Sequence, residues 1–121
     1  SDVGSSWFVP NLIGRARANG MGLLGDDISS EQAKDWGLIW DSVSDEELLP
    51  KGLEIAERLA NGPIDGLKAI VKAHDNALST SLNDQLDYEK DTQRVLLDKK
   101  EFKEGVSAFV GKRKPNFRDL S

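Results

Sequence analysis

Two short clusters in this sequence carry residue types that could do chemistry. The first is Ser1-Asp2-Val3-Gly4-Ser5-Ser6-Trp7. A carboxylate on a glycine-flanked turn just before a helix N-terminus is held at a defined point. Crowding by an apolar group such as Trp7 would raise its pKa and let it exchange protons near neutrality. The same residues also fit an idle aspartate at a frayed chain end, and chain ends favour that second reading.

The second cluster is Phe109-Val110-Gly111-Lys112-Arg113-Lys114-Pro115-Asn116-Phe117. An aromatic three residues before a lysine on one helical face suits a nucleotide, the ring stacking on a base while the ammonium meets a phosphate. The alternative is a core phenylalanine followed by a solvated basic tail, since Phe109 continues an apolar stripe. The one histidine, His74, lies on another apolar stripe and reads as a packed, hydrogen-bonded ring. Trp36 and Trp40 read as core or interface aromatics. Glu89 and Gln93 interrupt their helix's apolar face and fit either a buried polar contact or, more in keeping with their polarity, a solvated face.

Composition narrows what these clusters can serve. The 121 residues are 38% hydrophobic and 31% charged, with zero cysteines and a formal net charge of −5. A disulfide framework and a thiolate metal site are excluded, and a single imidazole rules out sites that need two. No metal site is expected. The acidic balance argues against a nucleic-acid partner, although Lys and Arg outnumber acidic residues between Lys99 and Arg118. A small anionic ligand fits there; a long polyanion does not. No apolar run approaches the ~20 residues that cross a bilayer, and no signal-peptide pattern opens the chain. The expected compartment is the cytoplasm, with no membrane partner.

The elements that must position both clusters are helices. Ser5 or Ser6 can cap a first helix in which Pro10 falls in the first turn. Gly14 to Leu24 is a closely packed or a weak helix. Ser29 opens a short helix that ends at Trp36 with Gly37 as its left-handed stop. Leu38 to Val43 is the one stretch that could be extended. Ser44-Asp45-Glu46-Glu47 repeats the capping-box spacing, and Pro50 suits the first position of a helix that buries Leu53, Ala56, Leu59 and Ala60. Asn61-Gly62-Pro63 stops and restarts the chain. A stripe from Ile64 to Leu78 follows, then a helix from Ser81 or Leu82 with Leu86, Val95, Leu96 and Leu97 as its apolar positions. Asp98-Lys99-Lys100-Glu101 reads as a third capping box before Phe102, Val106, Phe109 and Val110. The tail from Lys112 runs over a surface. The expected fold is all-α, with six or seven helices and two parts, residues 1–61 and 62–121.

In order along the chain these pieces resemble the C-terminal part of the crotonase family, the enoyl-CoA hydratases and isomerases. The resemblance rests on Asp2-Val3-Gly4-Ser5-Ser6-Trp7, Leu12-Ile13-Gly14-Arg15-Ala16, Leu23-Leu24-Gly25-Asp26, Ile28-Ser29, Gln32-Ala33 and Trp36-Gly37-Leu38-Ile39. It closes with Phe102, Glu104-Gly105, Ala108-Phe109 and Lys112-Arg113-Lys114-Pro115-Asn116-Phe117. Within the family, Asp2 followed by Gly4 and Trp7 is most similar to the ring-epoxide isomerases of phenylacetate breakdown, although Gly4-Ser5-Ser6 stands where Gly-Gly-Thr is usual.

The resemblance implies that Asp2 is the general acid/base moving a proton on a CoA thioester. It implies that Phe109 and Lys112 contact the adenine and phosphate end of CoA, which enters as part of the substrate rather than as a resident cofactor. It implies a homo-oligomer, a trimer or a dimer of trimers. Residues 1–61 would then be the end of the core with the catalytic turn, and 62–121 the oligomerisation and CoA-contacting region. The family's sheets and oxyanion loops are expected to lie outside these residues, the chain starting at a cut just upstream of Asp2. The 121 residues alone are therefore expected to be inactive. A non-catalytic helical oligomerisation or interaction module is the alternative.

Overall fold

A computed structural model describes residues 2–120, and the elements found there are seven helices with no strand among the described residues. They are α1 (Ser5–Ile13), α2 (Arg15–Leu24), α3 (Ser30–Asp35), α4 (Asp45–Ala60), α5 (Ile64–Ala77), α6 (Leu82–Leu97) and α7 (Lys100–Val110). The all-α expectation holds. The chain divides into two compact units, Ser1–Leu48 and Leu49–Ser121. No described helix is long and apolar enough to cross a membrane.

In the first unit α1 packs on α2. Gly4, rather than a serine, occupies the N-cap of α1, and Pro10 sits at its sixth position instead of its first turn. The proline removes one helical hydrogen bond, and the helix ends only three residues later. Ser29 caps α3 as its spacing predicts, its hydroxyl accepting from the Gln32 N–H at 3.1 Å. The stop is a complete Schellman motif: Leu38 N–H donates to Ala33 C=O and Gly37 N–H to Lys34 C=O, both at 2.9 Å. Gly37 has φ 79°, a conformation few other residues adopt without cost. Residues 38–40 are bends and 41–43 carry no regular structure, so the stretch does not form a strand. Trp36 is half-buried with the Arg17 guanidinium 5.4 Å above its ring, whereas Trp40 is 79% exposed.

Helix α4 starts where the capping box predicts. Glu47 reaches back to accept from both the Ser44 hydroxyl, at 3.0 Å, and the Ser44 N–H, at 3.4 Å. Pro50 therefore lies at the sixth position, not the first. The capping box simply precedes it and fixes the start. Leu53 and Leu59, expected to be buried, are exposed.

The second unit packs α5 on α6 and α6 on α7, and α5 brings mostly small residues to its seam with α6. The less exposed positions of α5 include Gly66, Ala69, Ala73 and Asn76; those of α6 are Gln85, Tyr88, Thr92 and Leu96. Each set follows the three- and four-residue spacing of one helical face. At their seam the buried Gln85 accepts from the Asn76 side-chain amide at 2.8 Å and donates to Ala73 C=O at 3.1 Å. The large apolar residues expected in the core, Ile70, Val71, Leu78, Leu86, Val95 and Leu97, are exposed instead. His74 is exposed as well, which corrects the reading of a packed histidine. Glu89 and Gln93 are exposed, as expected.

The third capping box is not formed. Asp98 ends α6 and Lys99 is the N-cap of α7, without a side-chain cap bond. Glu101 instead turns to α5, accepting from the backbone N–H groups of Asp65, at 3.2 Å, and Gly66, at 3.4 Å. Pro63 offers α5 no side-chain cap. A carboxylate from α7 supplies what the local sequence lacks.

Candidate functional site

Asp2 lies on a tight turn. Its carbonyl accepts from the Ser5 N–H at 2.9 Å, and the two residues between, Val3 and Gly4, have φ 51° and 83°. Two consecutive positive φ values closed by this hydrogen bond define a type I′ turn. Gly4 suits it. Val3 does not, because a β-branched side chain in the left-handed region is sterically disfavoured. The Gly4 carbonyl then accepts from Trp7 and Phe8 N–H at 2.9 and 3.0 Å, which locks the turn to the start of α1.

The ring against the turn is Phe8's. A Cβ added at Gly4 would stand 3.1 Å from it. Trp7, expected to crowd Asp2, meets Phe8 edge-on with centroids 5.0 Å apart. Within the described residues Asp2 is exposed. The arrangement fixes the backbone that carries the carboxylate, in an open position.

In the second unit, Phe109 belongs to the last turn of α7 and is 85% exposed. It is not a core residue among those described; its neighbour Ala108 takes the buried place. Phe109 also lines an apolar groove of about 420 Å3 with Leu96, Phe102, Val106 and Phe117. Lys112 lies beyond the helix rather than on its face. Gly111 is the C-cap with φ −78°, and Lys112 takes the left-handed position with φ 50°. Lys112 N–H donates to Phe109 C=O at 3.2 Å and Arg113 N–H to Ala108 C=O at 3.0 Å, a second Schellman motif. Lysine and phenylalanine are thus joined through the backbone. Val3 and Lys112 are the two non-glycine residues with positive φ among those described. One adjoins the first cluster's carboxylate and the other is the second cluster's lysine.

The basic tail is not freely solvated. The Arg113 guanidinium donates to both oxygens of Glu104, at 2.6 and 2.9 Å, and to the Ser107 hydroxyl at 3.1 Å. Asn116 N–H donates to the same carboxylate at 2.7 Å. The Arg113 hydrogen bonds, followed by that of Asn116, hold the Glu104 carboxyl down at about 2, from an ordinary 4.5. In the sequence, Glu104 and Arg113 stand out only as part of the family resemblance. Their nine-residue separation spans a helix end, so no fixed helical spacing announces the pair.

Among the described residues no three His, Cys, Asp or Glu side chains gather as a metal site would require. What the two places offer is an exposed carboxylate on a hydrogen-bonded turn, and an exposed ring whose backbone is bonded to that of an exposed lysine.

Residues 1–120 match the family model described as enoyl-CoA hydratase/isomerase. The chain is 45% identical over 116 residues to 1,2-epoxyphenylacetyl-CoA isomerase of Escherichia coli, covering 96% of this chain and 44% of that protein. It superposes on an enoyl-CoA hydratase from Polaromonas sp. JS666 with TM-score 0.90 at 32% identity, covering 97% of this chain and 46% of that one. It also superposes on an enoyl-CoA hydratase from Bacillus anthracis with TM-score 0.89 at 31% identity, over 95% and 45% of the two chains. The chain thus spans less than half the length of these relatives.

Proposed function

The chain belongs to the enoyl-CoA hydratase/isomerase family, and from that premise we propose that its parent protein is an isomerase of CoA thioesters in which Asp2 is the general acid/base. The observation that carries this reading is the type I′ turn, which fixes the backbone at Asp2 just ahead of α1 and leaves its carboxylate open to a ligand. A carboxylate so placed can take a proton from one carbon of an acyl chain and return it to another. General acid–base help of this kind contributes about 10²–10⁴ in rate. The likeness to the Escherichia coli 1,2-epoxyphenylacetyl-CoA isomerase supports a ring-epoxide CoA thioester of phenylacetate breakdown as substrate.

Phe109 and Lys112 form the proposed CoA contact. The exposed ring can stack on adenine while the ammonium meets phosphate, and the 3.2 Å backbone bond holds the two residues' backbones together. CoA then arrives with the substrate, and no resident cofactor is proposed. The proposed compartment is the cytoplasm, in keeping with a chain of zero cysteines.

We further propose that the parent is a homo-oligomer, supported by the exposed apolar side chains of α5, α6 and α7. Sedimentation of the full-length protein should show an assembly; a concentration-independent monomer refutes it. The exposed apolar faces also favour a second reading, a helical interaction module without catalysis. Product analysis separates the two. The full-length protein should convert an epoxyphenylacetyl-CoA or enoyl-CoA thioester to an isomer of unchanged mass. A product heavier by one water makes it a hydratase, and no turnover with either substrate leaves the interaction module.

A further inference from the structure

Lys112 stands in a backbone conformation that costs a non-glycine residue free energy, although a glycine lies one position earlier in an ordinary helical conformation. Something beyond local preference must hold it there. The residue after it, Arg113, is fastened in the two-pronged geometry that fixes a guanidinium in both position and plane. Its Glu104 partner projects from α7 itself and has only 14% of its side chain exposed. The same carboxylate takes the Asn116 N–H, so the chain on the far side of Lys112 is pinned to the helix as well. The Arg113 N–H bond to Ala108 C=O closes the loop tightly around Lys112.

The clasp also sorts the cations. Arg113 is neutralised by Glu104, while Lys112 is exposed and makes no ion pair among the described residues. A phosphate approaching Phe109 therefore meets Lys112 as an uncommitted charge.

We propose that Glu104 is a positioning residue: by clasping Arg113 and the Asn116 backbone it holds Lys112 in its left-handed conformation beside Phe109, presenting the ammonium to a phosphate of CoA. The proposal rests on the reading of Lys112 as a CoA contact. Glu104 touches no ligand and acts only through Lys112.

Calorimetric titration of free CoA into the full-length protein in its native assembly tests this with four proteins: wild type, Glu104→Gln, Lys112→Ala and the double variant. Lys112→Ala should weaken CoA binding about tenfold, the loss of one charge-assisted contact. Glu104→Gln should weaken it several-fold in the wild-type background and not at all in the Lys112→Ala background. An equal factor in both backgrounds, or none in either, overturns the positioning role. Unchanged affinity in Lys112→Ala removes the CoA contact itself and the proposal with it, a different result from either. Arg113→Lys guards against a Glu104 variant that does not fold, because it keeps the charge and loses the fork. Its affinity should fall between wild type and Lys112→Ala, and wild-type affinity overturns the proposal.

Discussion

Single residues explain why the two chemical places are where they are. Asp2 sits on a turn that Gly4 makes possible, and Gly4 is constrained twice, by its φ of 83° and by the Phe8 ring 3.1 Å from where a Cβ would be. The sequence announced the glycine and the carboxylate. It could not announce that Val3 takes the other left-handed position, because β-branched residues are poor candidates for it. Glu104 was also hidden, since its partners Arg113 and Asn116 lie across a helix end. Its depressed pKa has a consequence for stability. Above pH 4.5 the carboxylate is charged in both folded and unfolded chains, and the clasp contributes in full. As pH falls from about 4.5 toward about 2 the unfolded chain takes up the proton first, so that contribution is lost. Thermal melts should therefore fall more steeply across this window for wild type than for Glu104→Gln. Parallel curves would remove the clasp as a source of acid sensitivity.

Helices were legible as elements, and their packing was not. Ser29, Ser44 and Ser81 each stand at a helix start, and Gly37 stops α3. Capping depends on a few neighbouring residues, so sequence reveals it. Proline position is a weaker signal: first-turn places suit Pro10 and Pro50, yet both occupy sixth positions because the helix starts are set upstream of them. Burial is a weaker one still. Large apolar residues were read as core, yet α5 meets α6 through Gly66, Ala69 and Ala73 around Gln85, a seam that hydrophobicity alone does not mark. Glu101 shows the same limit, since its carboxylate caps α5 from another helix. That bond should be measurable. Glu101→Ala should destabilise the fold by about 1 kcal/mol, the usual loss for a removed cap. Denaturant titration checks this, and an unchanged midpoint would show that water replaces the carboxylate without loss.

At the scale of the whole molecule, the family was legible because its markers are spread in register along the chain, and the all-helical class followed from the recurring caps. The substrate was not legible. The chain spans 44% of the Escherichia coli relative, and two open clusters do not define an acyl pocket. The proposed chemistry depends first on Asp2 moving the proton. The most direct measurement is the isomerisation rate of the full-length protein with Asp2→Asn, which keeps the shape of the side chain and removes its basicity. If Asp2 is the proton carrier, kcat falls by about 10²–10⁴ while CoA affinity is retained. An isomerisation rate equal to wild type would contradict it.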